Sequence, residues 1–409
     1  MSTYYRSNII SRETAFVFTV DTSNSGVSLS DQFQLPFVDT YTYNCLVEWG
    51  DGNSDSITSW NQSETLHTYS SSGIYTIKIN GTFGIFSFND GGDKLKLLTI
   101  DNWGGNAWTS FNSAFYGCAN MTGNFSDSPD LSAAIDIQSM FRNCVLFDSN
   151  INNWDVSSIQ NFSNVFRGAS IFNQPLNDWD VSSSITMLGA FADALLYNQP
   201  LNDWDVSAGV VFSDMFINAS SFDQPLNLWN MSLATNLSGM FASESVFNQN
   251  IQDWDVSSVT SFFGMFNANK FFNQPLNNWD VSSATNMALM FRNCVFNQPL
   301  NNWNVASVTS MSTMFAFTSV FDQNIGDWDV SSVTDMSVMF GSAGLSTANY
   351  NALLIGWTGW VGGVPTKTVQ SSVLFDGGSS AFSLGTDAED ARDYLINTKL
   401  WTITDGGGV

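Results

Sequence analysis

The sequence predicts a mainly β chain: a solenoid of about ten 25-residue rungs, preceded by a β-sandwich and closed by a small α/β cap. Three observations carry this expectation. Tryptophan recurs at Trp154, Trp179, Trp204, Trp229, Trp254, Trp279, Trp303 and Trp328, in steps of 25 residues with one of 24. Phenylalanine recurs beside it, at Phe115, Phe141, Phe166, Phe191, Phe216, Phe241, Phe266, Phe291, Phe315 and Phe340. Strand-like segments precede the periodic region, and a stretch outside the pattern follows it. A fixed period of this size marks a unit that cannot bury its apolar face alone and must stack on its copies.

Residues 1–94 read as the sandwich. AFVFTV, YNCLVEWG, HTY and GIYTIKI are strand-like, and Asp51-Gly52 is a tight-turn signal after Trp49. Trp49-Gly50-Asp51-Gly52, then His67-Thr68-Tyr69, then Gly73-Ile74-Tyr75-Thr76-Ile77 resemble a PKD domain, an immunoglobulin-like module common in surface proteins. The resemblance makes His67, the one histidine of the chain, a structural turn residue.

Residues 95–344 read as the repeats. The chain enters an irregular first rung through Gly92 to Ile100, with Trp103, Trp108, Phe111 and Phe115 as its core, and a second passes through Leu131, Met140 and Phe141. In later rungs Trp-Asp-Val alternates apolar, polar, apolar, which predicts a half-buried strand with Trp179 and Val181 inward and Asp180 outward. Ser182 and Ser183 end that strand, and Ile185, Met187, Leu188 and Phe191 are expected to turn back to the core. A small residue follows three after the phenylalanine, as at Ala169, Ala194 and Ala219, and then a second aromatic, as at Phe172, Tyr197 and Phe222. Asn-Gln-Pro-Leu closes the rung with a proline-fixed corner. The sentence FNQPLNDWDVSSSITMLGAF resembles the BspA-like leucine-rich repeat family of surface proteins over 95–344. That resemblance implies a leucine-rich-repeat-like solenoid and a role in adhesion or surface display. Rungs ~4.8 Å apart would make a rod of roughly 50 Å in which like side chains stack on like.

Residues 345–409 read as a C-terminal capping region. Asp387 to Thr398 is expected to be a short helix capped by Thr386, with Tyr394, Leu395 and the alanines facing inward.

Charge narrows the function. There are 12 Lys and Arg against 37 Asp and Glu, a net charge of −25. No basic stripe exists for nucleic acid, and anionic membrane surfaces are disfavoured. No run of 18 apolar residues predicts a membrane span. The candidate binding positions form an outward row: Asp155, Asp180, Asp205, Asn230, Asp255, Asp280, Asn304 and Asp329. A second acidic row lies two positions earlier, at Asp178, Asp203, Asp253 and Asp327. Two readings stand: a solvated face whose carboxylates bond nearby backbone donors, or a strip that reads cations or ligands. Oxygen ligands suit Ca²⁺, yet no dedicated calcium loop is present, so weak Ca²⁺ sites are the most the rows imply, with no other metal and no cofactor. Arg142, Arg167 and Arg292 follow the phenylalanine marker and are expected on another face. Cys118 and Cys144 share one slot in adjacent rungs, where buried thiols are favoured over a disulfide because alanine fills that slot elsewhere.

With one histidine, no Cys–His pairing and no phosphate loop, the expectation is no enzyme. The first reading is a non-catalytic recognition or attachment protein, a virion or phage appendage, fibre or decoration protein. The second is a bacterial cell-surface adhesin binding host or neighbour-cell proteins or glycans. The start MSTYYRSNII lacks a basic segment leading into an apolar one, which favours the particle surface over a secreted cell surface. The identity of the ligand and the oligomeric state are not legible.

Overall fold

The computed structural model describes residues 14–39 and 41–409. They form two compact units: the first runs to Ser184 and takes in Ala194–Tyr197, and the second comprises Ile185–Asp193 and Asn198–Val409. The structure is mainly β, with two α-helices among the described residues.

The first unit opens with β1 (Phe16–Asp21), β2 (Gln32–Gln34), β3 (Tyr43–Glu48), β4 (Ser54–Ile57), β5 (Leu66–Thr68) and β6 (Ile74–Phe83), followed by β7 (Leu97–Asn102) and β8 (Thr122–Gly123). Six of them form one sheet in the order β4-β3-β6-β1-β7-β8, while β2 and β5 pair separately. β7 is antiparallel to β1 and parallel to β8, so this sheet runs on past residue 94. Phe16 packs 5.9 Å from Trp103 and 5.1 Å from Trp108, joining strand side chains to the first irregular rung.

His67 lies in β5, paired with Phe33, rather than in a turn. Its ring stacks on Trp49 at 4.6 Å and its Nε2 is 2.9 Å from Asp51 Oδ2. Burial works against the Asp51 charge, but hydrogen bonds from His67 and Asn53 outweigh it and hold the carboxyl below its ordinary value. Lys96 is fully buried and donates to the carbonyls of Leu29 (2.8 Å) and Gln32 (2.9 Å) and to Ser28 Oγ (2.7 Å), with Asp93 3.8 Å away. Burial lowers its pKa against the opposing charges of Asp93 and Asp31. Gly26 is required beside this cluster, since a Cβ there would stand 2.3 Å from Asp93 Oδ1.

In the repeats the backbone is built of turns joined by single parallel bridges such as Asn236↔Ser261, Ser261↔Asn286 and Asn286↔Ser310. The expected Trp-Asp-Val strand is not there. Trp and Val do point inward, but the aspartate between them closes a local turn, and the bridges fall seven residues after the tryptophan. A side chain that bonds its own backbone two residues on competes with the ladder and wins.

Each rung bonds its neighbour in both directions. Backbone N–H groups of Thr260, Thr285, Thr309 and Thr334 donate to the carbonyls of Thr235, Thr260, Thr285 and Thr309, all at 2.9 Å. Their hydroxyls donate to the same carbonyls, at 3.0–3.2 Å. The next segment donates forward: Gly264, Phe266 and Ala268 reach the carbonyls of Ala288, Met290 and Arg292 at 2.9, 3.0 and 2.8 Å. The intervening N–H groups of Met265 and Asn267 bond three residues back, so the turn backbone is satisfied. This weave places residues two before and two after the phenylalanine in the left-handed region. Gly239 and Gly264 suit it, whereas Leu289, Thr313 and Val338 take the same conformation with a branched or bulky side chain.

The core is aromatic. Phe216, Phe241, Phe266, Phe291, Phe315 and Phe340 stack at 5.5–6.0 Å, with the second aromatic of each rung lying closer, 4.0 Å for Phe216–Phe222 and 3.8 Å for Phe241–Phe247. Each such pair contributes ~0.5–1.5 kcal/mol beyond burial. One expectation fails here. Ile185 and Leu188 are exposed, 47% and 36%; the inward slot before Ile185 is taken by Ser184, fully buried where other rungs carry Ile159, Val259 or Val308, and Leu188 follows the buried Met187 at the phase where Phe263 is exposed too. All four cysteines are free and buried.

The tail contains α1 (Thr347–Thr358), β9 (Leu374–Asp376), α2 (Asp387–Asn397) and β10 (Thr402–Thr404). β9 lies parallel to the last rung, with Met336 bridging Phe375 and Phe340 N–H donating to Asp376 O at 2.9 Å. Thr386 caps α2, burying Ala388, Ala391 and Leu395, while Tyr394 is half-buried against Trp360.

Candidate functional site

The candidate row is exposed at every position: Asp155, Asp180, Asp205, Asn230, Asp255, Asp280, Asn304 and Asp329. Each Oδ1 accepts the backbone N–H two residues on, as in Asp155–Ser157 (3.1 Å), Asn230–Ser232 (3.1 Å), Asp255–Ser257 (3.1 Å) and Asp329–Ser331 (3.0 Å). Ser157 and Ser257 add their hydroxyls at 2.6 and 2.7 Å. The serine side chain and then its backbone N–H hold Asp155, Asp205 and Asp280 below the ordinary carboxyl value. In each aspartate of the row one oxygen is therefore structural and the second lies at the exposed surface, whereas Asn230 and Asn304 spend their single oxygen on the turn. Asparagine serves equally in the turn, so the charge of the aspartates is surplus to the fold.

In the second row, Asp203, Asp253 and Asp327 are exposed. Asp178 is committed: its N–H donates to Asn152 Oδ1 at 3.0 Å, and Asn152 Nδ2 returns a bond to its carboxylate at 2.7 Å. Between rungs the rows bound shallow grooves, one of about 500 Å³ beside Asn277, Trp279, Asp280, Asn302 and Asn304. Among the described residues no group of three His, Cys, Asp or Glu gathers around one point.

The amides of the Asn-Gln-Pro-Leu segments are occupied by structure. At the position after the second aromatic, Asp223, Asn248, Asn273, Asn297 and Asp322 donate N–H to the side-chain oxygen of Asn198, Asp223, Asn248, Asn273 and Asn297, at 2.8–3.1 Å. Gln224, Gln274 and Gln323 donate to the same oxygens. A second amide ladder runs through Asn202–Leu228 and Asn277–Asn302. Where the corner proline is missing, Asn250 and Asn324 accept the N–H two residues on and make the same bend.

The arginines are occupied as well. Arg142 lies over Tyr116 at 4.7 Å and Arg292 over Phe317 at 5.4 Å, and Arg167 reaches Asn164 at 3.4 Å. The tryptophans also do more than pack. Indole N–H groups of Trp229, Trp254, Trp279, Trp303 and Trp328 donate to the carbonyls of Leu201, Leu226, Ile251, Leu276 and Leu300, at 2.8–3.0 Å. The threonine and amide ladders were missed in the sequence, although their signal was visible there: the same residue types recur at one phase of the period.

Residues 109–227, 211–295 and 293–357 match the model of a family described as "Mycoplasma protein of unknown function, DUF285". The matched span covers well over half of the chain, within the repeats and into the tail. No curated protein and no solved structure matches it.

Proposed function

For a chain that belongs to the DUF285 family of repeat proteins, we propose a non-catalytic role in recognition or attachment at a surface. The observation that carries this reading is the division of labour in the repeat. Tryptophan, phenylalanine, asparagine, glutamine and threonine are committed to holding rungs together, while the six aspartates of the row, Asp155, Asp180, Asp205, Asp255, Asp280 and Asp329, each keep one carboxylate oxygen outside the turn at the same phase of the repeat. Such a face offers a partner many equal contacts rather than one desolvated centre.

In this reading residues 95–344 form a BspA-like, leucine-rich-repeat-like solenoid, residues 1–94 a PKD-like immunoglobulin-type sandwich, and residues 345–409 a capping region. The partner is a protein or glycan on a virion or cell surface, with a virion or phage appendage as the first setting and a bacterial adhesin as the second. Nucleic acid and membrane insertion have no place in it, nor has a resident cofactor. Ca²⁺ binds the aspartate rows weakly at most, since each aspartate of the outward row offers one oxygen outside its turn and Asn230 and Asn304 offer none.

Mass spectrometry of purified virions against washed cell envelopes tests the setting. A pull-down from surface extract tests the role. Saturable retention of a surface component supports the reading; its complete absence, together with turnover of any substrate by the intact chain, sinks it.

A further inference from the structure

A cavity of about 640 Å³ opens in the first unit, larger than the groove of about 500 Å³ beside Trp279. Its described lining includes Trp60, Leu66, Pro36, Gln34, Asn61 and Gln62, and no charged side chain. The chain around it carries 37 acidic residues and a net charge of −25. Trp60 and Leu66 are 38% and 39% exposed, whereas the tryptophans of the repeats lie in the core.

Trp60 is presented by a loop that is built independently of it. Gln62 Oε1 accepts the N–H groups of Thr58 (2.7 Å) and Ser59 (3.2 Å), and its Nε2 donates to Ser56 O (2.9 Å). The loop is thus closed by one glutamine, and the indole is left over as an apolar plate at the cavity mouth. On the facing side Gln34 Nε2 donates to Thr65 Oγ1 at 2.9 Å, which orients that carboxamide, and Asn61 is exposed beside the tryptophan.

We propose that this groove binds a neutral saccharide, with one pyranose ring stacked on Trp60 and its hydroxyls exchanging hydrogen bonds with the carboxamides of Gln34 and Asn61. The chemistry selects this occupant. A sugar presents an apolar C–H face and an uncharged hydrogen-bonding edge, which are the two things the lining offers. An acidic sugar would meet no cation here and a negative chain around it. An extended peptide needs a row of partners for its backbone N–H and C=O groups, and a single exposed ring gives it one anchor. The proposal stands apart from the repeat-face reading, because its residues lie in the first unit alone.

The test uses the full chain on an immobilised array of neutral oligosaccharides beside their sialylated and sulfated counterparts, followed by titration with the neutral oligosaccharide retained. The expected result is retention of neutral glycans, with charged counterparts about tenfold weaker. Trp60→Ala and Leu66→Asp should each lose about tenfold in affinity with an unchanged melting temperature, and Trp60→Phe should keep part of it. Replacing the six row aspartates by asparagine should leave this binding intact. Failure to retain any neutral oligosaccharide, retention undiminished in both Trp60→Ala and Leu66→Asp, or retention of peptides alone would overturn the proposal. Loss of glycan binding in the row variant would move the glycan to the repeats and overturn it too.

Discussion

The indole N–H of Trp357, in α1, donates to the carbonyl of Ile325 at 3.0 Å, repeating the bond that Trp328 makes to Leu300 one rung earlier. The helix thus continues the tryptophan series of the turns, although its backbone is different. What is repeated is the bond, and the turn is one way to supply it.

Replacement along this series should therefore depend on the partner. Trp303→Phe removes one of the two donors to the Leu276 carbonyl, which keeps the Trp279 N–H, and should cost ~0.5–1.5 kcal/mol beyond the lost ring area. Trp154, whose buried indole N–H has no partner, should lose less by about that amount when changed to Phe. Urea midpoints of the two variants, measured side by side, check the difference.

Ser184 is fully buried and its hydroxyl has no partner, in a slot where other rungs hold isoleucine or valine. Ser184→Val should raise stability by ~1–3 kcal/mol, because it removes an unsatisfied polar group and adds apolar contact. A lower melting temperature would contradict the packing described for that rung.

In the amide ladder the acceptor matters and its charge does not. Asn273→Asp should be close to neutral, as Asp223 and Asp322 already fill the slot. Asn273→Leu strands the Asn297 N–H and should cost ~1–3 kcal/mol, read as a shift in the denaturation midpoint.

Acid should loosen the tail. Burial disfavours the Asp405 charge, but bonds from Arg392 (2.7 Å), Tyr350 (2.8 Å) and Gly407 outweigh it, so its folded pKa lies below the ordinary carboxyl value. A carboxyl depressed in the folded state stabilises above its unfolded pKa, and that contribution fades as pH falls through the folded value. Stability of the wild type should drop below about pH 4, and Asp405→Asn should start lower and flatten that drop. Melting curves from pH 6 to pH 2.5 record it.

The buried thiols should be inert. Burial pushes Cys45 and Cys294 up to about 12, and Cys118 and Cys144 rise as well, Cys118 well above its ordinary value. Alkylation at neutral pH should label none of the four in the native chain and all four in denaturant. Rapid native labelling would contradict their burial.

Much of the core was legible because an apolar residue at a fixed phase has few other uses. Trp179, Val181, Met187 and Phe191 are buried as their spacing predicts. The backbone was less legible, since Trp-Asp-Val alternates like a strand whether or not Asp180 folds back onto Ser182. Ile185 was misassigned for a related reason: the 179 rung reads Ser-Ser-Ser-Ile, and the inward slot goes to the third serine by position rather than to the isoleucine by hydrophobicity. The carboxylate row could be found from the period alone. That its asparagines make the same turn could not, because charge and turn-forming ability are carried by one side chain.

That coincidence makes the most direct test available. Changing Asp155, Asp180, Asp205, Asp255, Asp280 and Asp329 together to asparagine keeps the acceptor that Asn230 and Asn304 already provide. Capture of surface extract by this variant should fall at least about tenfold against wild type, with the melting temperature preserved, and wild-type capture should weaken as salt is raised. Undiminished capture by a fully folded variant would contradict the assignment of recognition to the aspartate row.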